Sequence, residues 1–300
     1  MPDPGVSASF VERCSLAALR RLPRNGLSRL AGRIAGLRLP GSLQRLEIRA
    51  FGTAVGVDFD EMREPLESFA SLQEFFTRAL REGVRPIDGD PRAFTAPCDG
   101  AWGEAGRVEN GTLLQLKGRP YRLEALLASA QEAERFEGGS YATFYLSPRD
   151  YHRFHTPCAL RIERASYLPG TLWPVHRAGV EGIDALYAQN ERICAYARPA
   201  AGADVGEGLL CMVAVGATMV GGVRVLFDAL RTNVGGTGVV WRDYGENGRR
   251  YGKGEEWGRF EFGSTIVLLA APGTAELDAT PPGTILRLGT RIGTLGRAGC

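Results

Sequence analysis

Three histidines occur in the 300 residues, and two of them fall in Ser147-Pro-Arg-Asp-Tyr-His152-Arg-Phe-His155-Thr-Pro157. An imidazole can take or give a proton near neutral pH. The i, i+3 spacing of His152 and His155 would also suit a metal ion. No nearby Cys or acidic side chain completes a ligand set, so no metal is expected. Gly263-Ser264-Thr265 offers such a base a substrate. Glycine reaches backbone angles closed to other residues and leaves its carbonyl unshielded. The Ser264 hydroxyl could therefore attack the Gly263 carbonyl carbon and move the acyl group from nitrogen to oxygen. Serine is a weak nucleophile at its free pKa, so this step needs a base and a group that orients the base. Asp99, in Thr95-Ala-Pro-Cys-Asp99-Gly100, is a candidate orienting carboxylate. Each feature has an ordinary alternative: a β-bulge at the Gly-Ser-Thr step, structural histidines, and an aspartate set between Pro and Gly for its turn chemistry.

The elements that must position these groups are mostly strands. Residues 257–271 read as one strand running into another, with Trp257, Arg259 and Glu261 facing one way and Phe260 and Phe262 the other. Residues 266–271 form an unbroken apolar run, as in a buried strand. Further strands are predicted at 141–147, 159–168, 209–226, 237–243 and 284–295, with a helix around 179–189. Upstream, 9–57 reads as helix broken at Pro23 and Pro40. In 27–39, Leu27, Leu30, Ala31 and Ile34 share one face while Arg29 and Arg33 lie opposite. A second helical segment is predicted over 65–82, with Ser71 as N-cap and Glu74 completing a capping box. The pattern predicts an α+β protein: a mainly antiparallel β sandwich or barrel-like catalytic core (83–300) preceded by amphipathic N-terminal helices (1–82).

Composition narrows the setting. The formal charge of +2 hides an asymmetry: residues 1–50 hold nine arginines against Asp3, Glu12 and Glu47. A short helix rich in arginine suits the surface of an anionic membrane. Its alternative is packing against the protein's own body with the arginines solvated. Nucleic acid is not expected, because no aromatics interleave with these arginines. Six cysteines show no C-x-x-C pair and read as reduced thiols in a cytoplasmic setting. The longest apolar stretch, 209–223, is too short and too glycine-broken to span a bilayer.

Taken in order and spacing, Pro-Cys-Asp99-Gly100, Asp150-Tyr-His152-Arg-Phe-His155-Thr-Pro157, Asn190-Glu191-Arg192 and Phe262-Gly263-Ser264-Thr265 resemble phosphatidylserine decarboxylase of the bacterial membrane-associated type. The similarity extends to Tyr167-Leu-Pro-Gly170, Val215-Gly-Ala-Thr218, Lys253-Gly-Glu-Glu-Trp-Gly-Arg259 and the arginine-rich start, and so covers essentially the whole chain. The family's Leu-Gly-Ser-Thr appears here with Phe262 in place of leucine, outside the chemistry. The resemblance implies a self-processing enzyme. Asp99 would orient His155, His155 would take the Ser264 proton, and the chain would break between Gly263 and Ser264 into a β chain (1–263) and an α chain (264–300). The α chain would begin with a pyruvoyl group, the covalent cofactor derived from Ser264. The amine of phosphatidylserine would condense with its ketone, whose conjugated carbonyl accepts the electrons left by carbon dioxide. His152 would return a proton to the substrate carbon. The resemblance further implies a peripheral enzyme on the cytoplasmic face of the cell membrane, and a homodimer is expected. A pyridoxal enzyme would need a Schiff-base lysine, and only Lys117 and Lys253 are present.

Two rival readings remain. A Ser-His-Asp hydrolase would keep Ser264 as a persistent nucleophile, but no G-x-S-x-G elbow is present. A carrier-like binding module is suggested by the tail 281–296, which has no lysine for biotin or lipoate.

Overall fold

The computed structural model describes residues 24–115, 118–200, 207–218, 222–233, 238–261 and 265–297. Residues 1–23 and the Phe262-Gly263-Ser264 step therefore lie outside the described residues.

A nine-stranded sheet forms the body. Its strands run in the order Val240–Asp243, Leu160–Leu168, Arg192–Pro199, Leu210–Val215, Thr265–Ala270, Ser140–Tyr145, Gly100–Arg107 and Ile285–Leu286, with Arg250–Tyr251 also pairing to Leu160–Leu168. Every pairing is antiparallel. Thr265–Ala270 occupies the interior, in unbroken register with both neighbours. All six of its residues are buried. Ile266, Leu268 and Ala270 enter one core cluster and Val267 and Leu269 another. The apolar run is continuous because both sheet faces are covered, and each large side chain so buried contributes about 1.5–3 kcal/mol.

The two faces are covered differently. Against the first lie two three-stranded sheets: Ala93–Thr95, Arg291–Leu295 and Ala275–Leu277, and then Val223–Val225, Glu256–Phe260 and Arg153–His155. Phe94, Ile292, Phe154, Trp257 and Phe260 bring them onto the core, which makes this half a sandwich. The second face carries short helices (Leu123–Leu127, Ala130–Glu134, Leu186–Gln189) and the Thr112–Gln115/Arg119–Arg122 hairpin. Leu113, Leu126, Leu127 and Leu186 pack there. The α+β class and β-rich core expected from the sequence are thus the observed ones.

The expected pair of strands around the Gly-Ser-Thr step is present as Glu256–Phe260 and Thr265–Ala270, but the two belong to different sheets. The chain changes sheets across 261–264. The expected alternation fails at Trp257 and Phe260, which share one cluster. A register shift between Glu256 and Gly258 accounts for this, since it turns the tryptophan inward. Gly258 is needed beside it: a Cβ there would sit 2.3 Å from the Phe154 ring.

The helices differ from expectation in length. Arg24–Ala35 and Gly41–Val55 are separated just before Pro40. The second ends where Gly56, at φ +82°, donates its amide to Gly52 O and Thr53 O. The segment 65–82 is not one helix. It holds a 3-10 turn, Leu66–Ser68, and a helix of five residues, Leu72–Phe76. Ser71 does cap it, accepting from the Glu74 amide at 3.1 Å, but the Glu74 carboxylate reaches the Ala70 amide instead of Ser71. Burial of Phe75 and Phe76 decides the geometry here over helix propensity. The helix expected at 179–189 is likewise two short ones, Arg177–Gly182 and Leu186–Gln189.

Candidate active site

Leu168, Arg192, Val215, Thr265, Tyr145, Ala101 and Ile285 pair in one row across the large sheet. The chemistry-bearing segments leave the strands at this end. Beyond Arg192 and Val215, the Gly216 amide donates to Glu191 O at 2.8 Å. On the other side of Thr265, Asp99 precedes Gly100 and Ala101. The sheet therefore gathers Asp99, the 146–152 loop and the Asn190-Glu191-Arg192 triplet around the strand that begins at Thr265.

His152 follows a turn at 147–150, and His155 lies in the strand Arg153–His155. The turn is closed by the Asp150 amide donating to Ser147 O and by the Ser147 amide donating to Asp150 Oδ2. The two imidazoles meet different surroundings. His152 is fully buried, its ring 4.0 Å from that of Phe76. Its Nδ1 lies 2.8 Å from Asp150 O. A carbonyl can only accept, so Nδ1 carries the proton, and Nε2 is left buried without a partner. Burial, helped by the positive charge of Arg78, pushes its pKa down to about 3.

His155 is half-buried. Its Nδ1–H donates to Gly254 O at 2.9 Å, and the Tyr151 hydroxyl lies 3.3 Å from Nε2. Burial lowers its pKa against the opposing pull of the Gly254 hydrogen bond. Nε2 is thus the lone-pair nitrogen of a neutral ring, the form a general base requires. In backbone register His155 is level with Glu256, while His152 O accepts from the Phe260 amide.

Asp99 does not hydrogen-bond His155 here. Its carboxylate is taken up by Arg85, with Nε to Oδ1 at 2.8 Å and Nη2 to Oδ2 at 2.6 Å, and by the Leu288 amide at 2.8 Å. The orienting acceptor on His155 is the Gly254 carbonyl. Asp99 still acts on His155 through space, its negative charge favouring the protonated ring.

The Asn190-Glu191-Arg192 triplet, quoted from the sequence without a role, ties loops to the sheet end. Asn190 bonds both backbone groups of Trp173 and the carbonyl of Gly216. Buried Glu191 accepts from the Tyr167 hydroxyl at 2.6 Å and the Asn233 amide at 2.9 Å, and burial raises its pKa. Arg192 donates to the carbonyls of Ala125, Leu126, Ala188 and Asn190. Sequence reasoning did not assign Arg85, Tyr151, Gly254 or Glu191. Tyr151, Gly254 and Glu191 lie inside motifs already singled out, whereas nothing distinguishes Arg85 among so many arginines.

Fold and site together describe an α+β protein whose candidate acid–base residues lie toward one end of an antiparallel sheet. The family model described as phosphatidylserine decarboxylase matches residues 72–294. A phosphatidylserine decarboxylase proenzyme of Anaeromyxobacter sp. (strain K) is 42% identical over 285 residues, 94% of this chain and 98% of that protein. Proenzymes of the same name from Myxococcus xanthus and Chromobacterium violaceum are 37% and 41% identical, over 91% and 89% of this chain and 95% and 93% of theirs. The chain belongs to the phosphatidylserine decarboxylase family.

Proposed function

We propose that this chain converts phosphatidylserine to phosphatidylethanolamine at a pyruvoyl group that it makes from its own Ser264. The observation that carries this reading is the family match across 72–294, which takes in Asp99, both site histidines and Gly263-Ser264. In self-cleavage His155 Nε2 accepts the Ser264 hydroxyl proton as Oγ bonds to the Gly263 carbonyl carbon and the C–N bond breaks. Asp99 stabilises the imidazolium by its charge, and Gly254 O holds the ring by Nδ1. His155 passes that proton to the freed Ser264 nitrogen; loss of the Ser264 α-proton then expels the Gly263 carboxylate from the ester, and water displaces ammonia. The pyruvoyl group supplies a ketone for the substrate amine and a conjugated carbonyl to accept electrons. The residues fit such a group: Thr265, the next residue, is held in the sheet interior, and both imidazoles are neutral, with Nε2 lone pairs that can take up a proton. His152 Nε2, buried and without a partner, bears the ring's lone pair; it would take a proton from the substrate ammonium as that amine condenses and return it to the substrate carbon once carbon dioxide has left.

The N-terminal region (1–82) would hold this catalytic part (83–300) against an anionic lipid surface, peripherally, on the cytoplasmic face of the cell membrane. Leu30, Ile34, Leu37, Leu39, Leu43 and Leu46 are exposed, Leu46 at 64%. Helix Arg24–Ala35 buries Ser28 and Ala35 and leaves Leu30 and Ile34 outward, which argues against packing on its own domain. Arg29, Arg33, Arg38, Arg45 and Arg49 are exposed among them. No helix of the described residues is long and apolar enough to cross a membrane. A homodimer belongs to the same reading, and sedimentation of the detergent-solubilised protein tests it. For the activity, wild type and Ser264→Ala are compared for phosphatidylethanolamine formed from phosphatidylserine vesicles. Activity in wild type and none in Ser264→Ala is expected; full activity in Ser264→Ala contradicts the reading.

A further inference from the structure

We infer that Arg85, braced by Glu61, is a positioning residue that keeps Asp99 charged and fixed for self-cleavage, an inference that rests on the role proposed above for Asp99. Asp99 is 5% exposed. A carboxylate so buried takes up a proton unless a cation and hydrogen bonds hold its charge. Arg85 supplies both, through three contacts of 2.6–3.0 Å. Its remaining donors do not turn to solvent. Nη1 and Nη2 reach Glu61 Oε1 and Oε2 at 3.0 and 2.7 Å, and Arg287 adds a contact to Glu61 at 3.1 Å. The guanidinium fork thus grips two carboxylates at once, a geometry that lysine cannot copy.

Four parts of the chain meet here. Glu61 belongs to the 3-10 turn Phe59–Glu61 of the helical region, and Arg85 to the segment before the first described strand. Asp99 leads into the large sheet, and Leu288 and Arg287 come from the far side of Ser264. The network therefore joins the helices to Asp99, and both to the segment that would become the smaller product. The other charged groups around the adjoining cavity of about 240 Å³ are Asp58, Arg78, Arg149 and Asp150, with Tyr151 between them and His155. The two arginines and two aspartates offset one another, so none replaces the grip of Arg85.

The test follows precursor cleavage on gels, in full-length chains made by cell-free translation and shifted to a range of pH. For Arg85→Ala the acid limb of the rate profile should move up by about one pH unit or more, slowing cleavage about tenfold on that limb. Arg85→Lys should fall between Arg85→Ala and wild type, and Glu61→Gln should shift less in the same direction. A rate scaled equally at every pH, or faster cleavage in Arg85→Ala, overturns the inference. Should Arg85→Ala give no folded precursor by circular dichroism, unshifted limbs in both Arg85→Lys and Glu61→Gln overturn it. Asp99→Asn, run alongside, should stay uncleaved at every pH. If it cleaves like wild type, the role of Asp99 itself is wrong.

Discussion

The strand Thr265–Ala270 and the helices Arg24–Ala35 and Gly41–Val55 spend their apolar residues in opposite ways. The strand turns every side chain into a core, on both faces of a sheet. The helices bury Ser28, Ala35, Gln44, Ile48 and Gly52, and leave leucines in water beside arginines. One region fixes the strand that follows the proposed cleavage site; the other leaves its apolar surface exposed. Exposed patches of this kind mark interaction surfaces in soluble proteins.

The largest contrast should lie in catalysis. At the sheet end, His155→Ala and Asp99→Asn should accumulate precursor, with cleavage slowed by about 10²–10⁴-fold, the usual worth of a general base. His152→Ala should still cleave, at least partly, yet decarboxylate poorly. The two steps are read from one preparation, by gel and by phosphatidylethanolamine yield. Reversal of the two histidines' behaviour would exchange their roles.

Stability comes next. Leu268→Ala in the strand should cost about 2–5 kcal/mol. Leu46→Ala on the helix should change stability by no more than about 0.5 kcal/mol. Urea denaturation of both variants, in the Ser264→Ala background to avoid cleavage, measures the difference. Similar losses would mean that the helix leucines already pack within the protein.

The burial of His152 adds a pH dependence to the same region. Its folded pKa lies near 3 against 6.5 for the free side chain, so the native state resists a proton that the unfolded chain accepts. Its stabilisation is full above pH 6.5 and is lost as pH falls toward 3, at about 1.4 kcal/mol per pH unit. His152→Gln should flatten that slope in urea titrations between pH 6.5 and 4.5. An unchanged slope would place the acid sensitivity elsewhere.

On the helices the expected effect is smaller and appears only with lipid. Leu43→Glu combined with Leu46→Glu should weaken binding to anionic vesicles about tenfold, and wild-type binding should weaken with added salt. Unaltered flotation would detach these leucines from the membrane reading.

The contrast between the regions also shows what the sequence could reveal. The run 266–271 announces its strand because burial on both faces demands apolar residues throughout. The amphipathic pattern of 27–39 predicts its helix, yet says nothing of whether the leucine face turns inward. The 65–82 segment reads as one helix because its periodicity is good, and only the tertiary burial of Phe75 and Phe76 cuts it to five residues. Asp99, His152 and His155 stand out by residue type and by position in motifs. The contacts that decide their chemistry do not: Arg85 to Asp99 spans 14 residues, and Gly254 to His155 spans 99. A backbone carbonyl as orienting group leaves no mark in side-chain identity.

The central claim is that the Gly263–Ser264 bond breaks. The intact mass of purified wild-type protein tests it most directly. The account predicts two chains, the smaller being the 37 residues from Ser264, 37/300 of 32.4 kDa or about 4 kDa, and blocked to Edman sequencing by its pyruvoyl end. A single chain of 32.4 kDa that still decarboxylates phosphatidylserine would contradict it.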